Sequence, residues 1–111
     1  MIDCVVLIPS TDSFSDIWPP ALECMRRYWP DCPWSIFTTS ETIPWGERPI
    51  LVGQNNGWCS NIRSALDQIK SEFVLMFLED MLVCEPVRTD ECVAAICEMK
   101  RPEHNLGAII I

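Results

Sequence analysis

Six apolar residues in succession, Phe73 to Leu78, give way abruptly to two adjacent carboxylates, Glu79 and Asp80. An apolar run of that length between polar flanks reads as a strand buried on both faces, and such strands belong to the centre of a parallel α/β sheet. In open sheets of this kind, ligands bind beyond the carboxyl ends of the strands, at the crevice where the strand order reverses. Glu79 and Asp80 are therefore a candidate site. The plainer alternative is that two acids mark the point where the sheet meets water.

The rest of the chain supplies what a parallel sheet needs. Residues Cys4 to Ile8 are apolar and β-branched, a second candidate for a central strand, and Pro9 ends it. Ser10 to Asp16 carry small oxygen-bearing side chains suited to a loop leading into a helix, where Ser15 or Asp16 can cap. Pro19 and Pro20 fit a first helical turn, and Trp18, Ala21, Leu22, Met25, Tyr28 and Trp29 recur at helical spacing until Pro30. Strands are expected at about 35–39 and 50–52. Asn55-Asn56-Gly57 signals a turn, because Asn and Gly tolerate positive φ. Trp58, Ile62, Ala65, Leu66 and Ile69 then mark the buried face of a helix that delivers the chain into the Phe73 strand. Thr89, Asp90 and Glu91 open a further helix with core positions Val93, Ile96 and Met99, and Pro102 ends it. A last strand is expected from Gly107 onward. This alternation predicts a single α/β domain over 1–111, a mostly parallel sheet with helices on both faces.

Composition narrows the partners. Sixteen acids against eight basic residues give a net charge of -8, which disfavours nucleic acid and anionic membrane surfaces. The seven cysteines are odd in number, form no CxxC pair and mostly lie inside apolar patterns. They read as small buried hydrophobes in a reducing cytoplasm rather than as a disulfide framework. His104 stands alone, against a zinc site, and no segment reaches the length of a membrane span. The glycines form neither a dinucleotide fingerprint nor a P-loop, and no catalytic triad is recognisable.

Four stretches carry a family resemblance. They are Val5 to Asp12 (VVLIPSTD) with Trp18-Pro19-Pro20 soon after, Tyr28 to Pro33 (YWPDCP), Gly57 to Ser60 (GWCS) opening a helix through Ala65 and Leu66, and Phe73 to Asp80 (FVLMFLED) with Pro86 and Val87 beyond. In this order and spacing the chain resembles the amino-terminal, nucleotide-sugar-binding half of a GT-A-type glycosyltransferase of the bacterial capsular and surface-polysaccharide group. The resemblance implies a Rossmann-like GT-A half, with Ser10, Thr11 and Asp12 lining a nucleotide pocket. It implies a glycan acceptor, and it places Glu79 and Asp80 where the family's acidic motif holds a divalent metal on the donor diphosphate. Carboxylate oxygens suit Mg²⁺ or Mn²⁺. The family pattern has its second acid at the position of Met81, and adjacent strand residues point to opposite faces. Asp80 is accordingly assigned as the ligand, with Glu79 in a hydrogen-bonding role. Ser60 and Arg63 stand at the start of a helix whose backbone N–H groups can meet a phosphate.

Two functional expectations result. One is a glycosyltransferase, or its donor-binding part, moving a sugar from a nucleotide-sugar to a glycan, with no catalytic residue named. The other is a non-catalytic α/β module that keeps the scaffold without the chemistry. An apolar strand at the chain's end reads either as truncation of a longer protein or as a docked terminal strand.

Overall fold

The computed structural model describes residues 2–79 and 85–100. Its elements follow the expected order: β1 (Cys4–Ile8), α1 (Trp18–Tyr28), β2 (Ile36–Ser40), β3 (Arg48–Leu51), α2 (Trp58–Gln68), β4 (Phe73–Met76) and α3 (Thr89–Met99). The strand expected from Gly107 onward lies outside the described residues, as does His104. The four strands form one sheet in the order β3-β2-β1-β4, and every pairing is parallel. No helix among the described residues is long and apolar enough to cross a membrane.

Alternation along β1 divides the core. Val6 and Ile8 face a cluster made with Trp18, Met25 and Trp29 of α1 and its end, Trp45 of the β2–β3 loop and Cys92 of α3. Leu7 points the other way and is wholly buried, as is Ala65 of α2, so α2 covers the opposite face. Burying a Val, Leu or Ile side chain completely contributes about 1.5–3 kcal/mol, and β1 has three in succession. The indoles of Trp18 and Trp45 stack 5.0 Å apart, and Trp29 meets Trp34 and Phe77 edge-on at 6.0 and 5.9 Å.

Several expectations are corrected. Among the described residues β4 stands at one end of the sheet, half-buried along its length, with Met76 exposed, and it ends at Met76 rather than Leu78. β1 lies between β2 and β4. A run apolar on both faces reports coverage of the faces, not how many strands lie alongside. Ser15 and Asp16 do not cap α1. Residues Asp12–Ile17 form a 3-10 turn that runs into α1, whose first turn carries the two prolines and no side-chain cap. Thr89 does not cap α3 either; its hydroxyl accepts the Trp29 indole N–H at 2.8 Å. On α2, Ile62 and Ala65 are buried, but Trp58 and Leu66 are exposed, so its core face is narrower than the sequence suggested. β3 begins two residues earlier than expected and includes Pro49, which is accepted because, among the described residues, β3 is an edge strand and no neighbour needs the missing N–H. Cys4 and Cys92 are buried, whereas Cys59 and Cys97 are exposed, and the six described cysteines are free thiols.

Candidate functional site at the carboxyl edge of the sheet

The chain leaves β1 toward β2 and β3, then returns through α2 to β4 on the other side of β1. The strand order therefore reverses between β1 and β4, and the crevice outside their carboxyl ends is where α/β sheets of this kind take ligands. Pro9 and Ser10 form one bank, Phe77 to Glu79 the other. The Phe77 amide donates to the Leu7 carbonyl at 2.9 Å, which holds the two banks side by side. Glu79 is buried, at 9 % exposure, and engaged. Asp80 and Met81 lie outside the described residues. Among the described residues, no group of three or more His, Cys, Asp or Glu side chains stands close enough together to hold a metal ion.

The β1 loop is tied down by its own polar side chains. The Ser10 amide donates to Thr39 Oγ1 at 3.1 Å, and the Ser10 hydroxyl accepts the Trp18 indole N–H at 2.8 Å. The Asp12 carboxylate accepts the backbone N–H groups of Glu41, Thr42 and Ile43 at 3.2–3.3 Å and the Thr42 hydroxyl at 2.6 Å. In return the Asp12 amide donates to Glu41 Oε2 at 2.8 Å. The Thr42 hydroxyl, with the backbone amides behind it, holds the Asp12 carboxyl below its ordinary value. Thr11 is half-exposed, and its hydroxyl meets that of Ser13 at 2.8 Å.

The same network reaches α2. Glu41 Oε1 accepts from Asn55 Nδ2 at 3.1 Å, and Asn55 Oδ1 accepts both the Gly57 amide and Asn61 Nδ2 at 3.0 Å. Asn61 Oδ1 accepts the Asn56 amide at 3.2 Å. Three loops at the carboxyl edge are thereby joined into one polar strap. Of the residues expected at the nucleotide, Ser10, Thr11 and Asp12 are together, with Asp12 and the Ser10 hydroxyl used inside the protein. Ser60 and Arg63 are exposed on α2, and the strap passes through Asn55 and Asn61 instead. Sequence reasoning missed Glu41 and the asparagines. Glu41 had the same signal as Glu79, an acid directly after a strand, and Asn55 was read only as a turn former.

No family model matches this chain, and no curated protein or solved structure shows significant similarity to it. Local geometry therefore carries the functional reading.

A separate groove of about 660 Å³ opens on the α1 side. Trp18 and Trp45 form its floor, and Pro19, Pro20, Glu23 and Arg26 its rim. It does not coincide with the β1–β4 crevice. The prolines also leave the first turn of α1 short of N–H donors, so that helix start is poorly suited to an anion.

Proposed function

We propose that the chain is the donor-binding part of a nucleotide-sugar-dependent glycosyltransferase acting on a glycan. The observation that carries this reading is the reversal of strand order between β1 and β4. It brings the loop of Ser10 and Thr11 beside β4 and the residues that follow it as far as Glu79, two of the pieces on which the family resemblance rests. In this reading the Ser10 and Thr11 segment takes the nucleotide, and Asp12 acts one step back, keeping that loop in shape through the β2 loop. Asp80 is the proposed Mg²⁺ or Mn²⁺ ligand, with buried Glu79, its neighbour in sequence, in a hydrogen-bonding role. When bound, such an ion offsets charge on the leaving diphosphate; a chain of net charge -8 needs that offset to hold a diphosphate. Ser60 and Arg63 are proposed to reach the phosphates from the start of α2.

The reading is tested by calorimetric titration of UDP- and GDP-sugars into the full chain with and without Mn²⁺. Saturable binding that strengthens with Mn²⁺, and loses that gain in Asp80→Ala, is expected. Heat that is absent for every nucleotide sugar sinks donor binding. Binding that is indifferent to Asp80→Ala removes the metal assignment alone.

A second reading, a non-catalytic α/β module, draws on one observation: Asp12 and the Ser10 hydroxyl are already spent on internal hydrogen bonds. It expects a stable fold and no nucleotide response.

A further inference from the structure

The turn that leads into α2 reads Asn55-Asn56-Gly57, and all three residues are exposed. Asn55 spends its side chain on Glu41, Gly57 and Asn61, and Asn61 spends its own on Asn55 and the Asn56 amide. Asn56 enters this strap through its backbone N–H alone, so the strap does not fix its carboxamide. The next peptide nitrogen along the chain is that of Gly57. Gly57 has φ 99° and ψ 159°, a backbone that residues with side chains rarely adopt. A Cβ there would meet nothing within 4 Å, so the space around it is open.

We propose that Asn56 is a self-modification site, at which the chain converts its own asparagine to aspartate and isoaspartate with water as the only co-reactant. Hydroxide removes the Gly57 amide proton, and the Gly57 nitrogen attacks Asn56 Cγ. A bond from that nitrogen to Cγ forms, the Cγ–Nδ2 bond breaks, and Nδ2 takes a proton from water and leaves as ammonia, which restores the hydroxide. Water then opens the cyclic imide at either carbonyl. Opening at Cγ gives aspartate in an unchanged main chain. Opening at the Asn56 backbone carbonyl gives isoaspartate, whose main chain runs through the former side chain. Either way one water is consumed, one ammonia is released, nothing is oxidised or reduced, and a neutral amide becomes a carboxylate.

The surroundings select Asn56 over its neighbours. The Asn55 carboxamide is bonded through both its oxygen and its nitrogen, and the residue after it carries a side chain that crowds the attacking nitrogen. The nitrogen after Asn61 belongs to buried Ile62 inside α2. The brake on Asn56 is the Gly57 N–H, which donates to Asn55 Oδ1 at 3.0 Å and so holds the proton that must be removed. One exposed hydrogen bond of this kind slows the reaction by up to about tenfold. Isoaspartate would insert a methylene into the main chain between the two N–H groups that tie the turn together, those of Asn56 and Gly57. It would also set a new charge beside Asn55, whose Nδ2 serves Glu41. Both changes part the start of α2 from the β2 loop, so the strap opens once and does not reclose.

Peptide mapping by mass spectrometry tests this on the full chain, held folded at mildly alkaline pH beside a short unstructured Asn-Gly peptide that serves as the clock. Aspartate and isoaspartate should form at position 56 at a rate within about tenfold of the peptide's, with Asn55 and Asn61 intact. Asn55→Ala frees the Gly57 N–H and should raise the rate to that of the peptide. Asn56→Gln, which would have to close a larger ring, should give no product over the same time. Conversion slower than the tenfold limit, or conversion at Asn55 or Asn61 ahead of Asn56, overturns the proposal. An Asn55→Ala rate no faster than that of the unaltered chain overturns the brake. In the isoaspartyl fraction, separated by its extra charge, the Asn61 side-chain amide resonances should move, and unmoved resonances overturn the opening of the strap. The unaltered chain decides the site even where a variant fails to fold.

Discussion

Gly46 and Gly53 share a backbone φ of +76° but have different surroundings, and that difference makes a quantitative test of the packing around the β2–β3 loop. A Cβ at position 46 would stand 2.9 Å from Thr38 Cγ2 and 3.1 Å from its Oγ1, whereas one at position 53 would meet nothing within 4 Å. Left-handed backbone costs an ordinary residue about 1–2 kcal/mol. Gly53→Ala should lose that and no more. Gly46→Ala adds an overpacking cost of about 1–3 kcal/mol, because Thr38 is wholly buried on β2, its hydroxyl bonded to the Trp45 carbonyl, and has no room to yield. The expected loss is then about 2–5 kcal/mol, a large share of the roughly 5–15 kcal/mol typical of whole domains. Urea unfolding followed by tryptophan fluorescence measures both. Thr38→Ser removes Cγ2 and keeps the hydroxyl, so Gly46→Ala should cost less in that background. Equal losses for the two alanine variants, or a Gly46→Ala penalty that Thr38→Ser leaves unchanged, would refute the close approach.

Other perturbations address the strap, the core and the thiols. Asp12 has a lowered pKa, so its clamp contributes stability above the ordinary value of 3.8, and that stability is lost as pH falls through the lower folded value. The Ile43 amide resonance should titrate with it and cease to do so in Asp12→Asn; a midpoint above the ordinary value would contradict the clamp. Trp45→Ala deletes the stack on Trp18 and leaves the Thr39 carbonyl without its indole donor, at an expected cost of about 3–5 kcal/mol; a loss below about 1 kcal/mol in urea would show that the indole does not anchor the loop. Burial pushes the Cys4 thiol up to about 11. Any stability that depends on its proton is complete below the ordinary 9.0 and lost as pH rises through about 11. Mass spectrometry after brief alkylation of the native protein should find Cys59 and Cys97 modified and Cys4 and Cys92 spared.

The strand and helix order was readable because its signals are local. Prolines at 9, 30 and 102, continuous apolar runs and helical spacing each act within a few residues. The order of the strands within the sheet was not readable in this way. A strand covered on both faces looks the same from its own sequence whether one or two neighbours flank it. Trp58 shows the converse, since its helical spacing matched Ile62 and Ala65 but at the first position of α2 it is exposed. At the site, the acids were visible and their partners were not. Asp12 satisfies groups some thirty residues away on the β2 loop, and no spacing rule links Asp12 to Thr42 or Glu41 to Asn55. Those pairings exist only because parallel strands bring successive loops to one edge.

The central claim, that a nucleotide sits at the crevice between the carboxyl ends of β1 and β4, is most directly tested by mapping amide shifts as UDP and Mg²⁺ are added to the ¹⁵N-labelled chain. Saturable changes are expected at Ser10, Thr11 and Phe77 to Glu79, with Arg48 to Leu51 on the far edge unmoved. Changes confined to β3 or to the Trp18 and Trp45 groove, or none at saturating nucleotide, would contradict it.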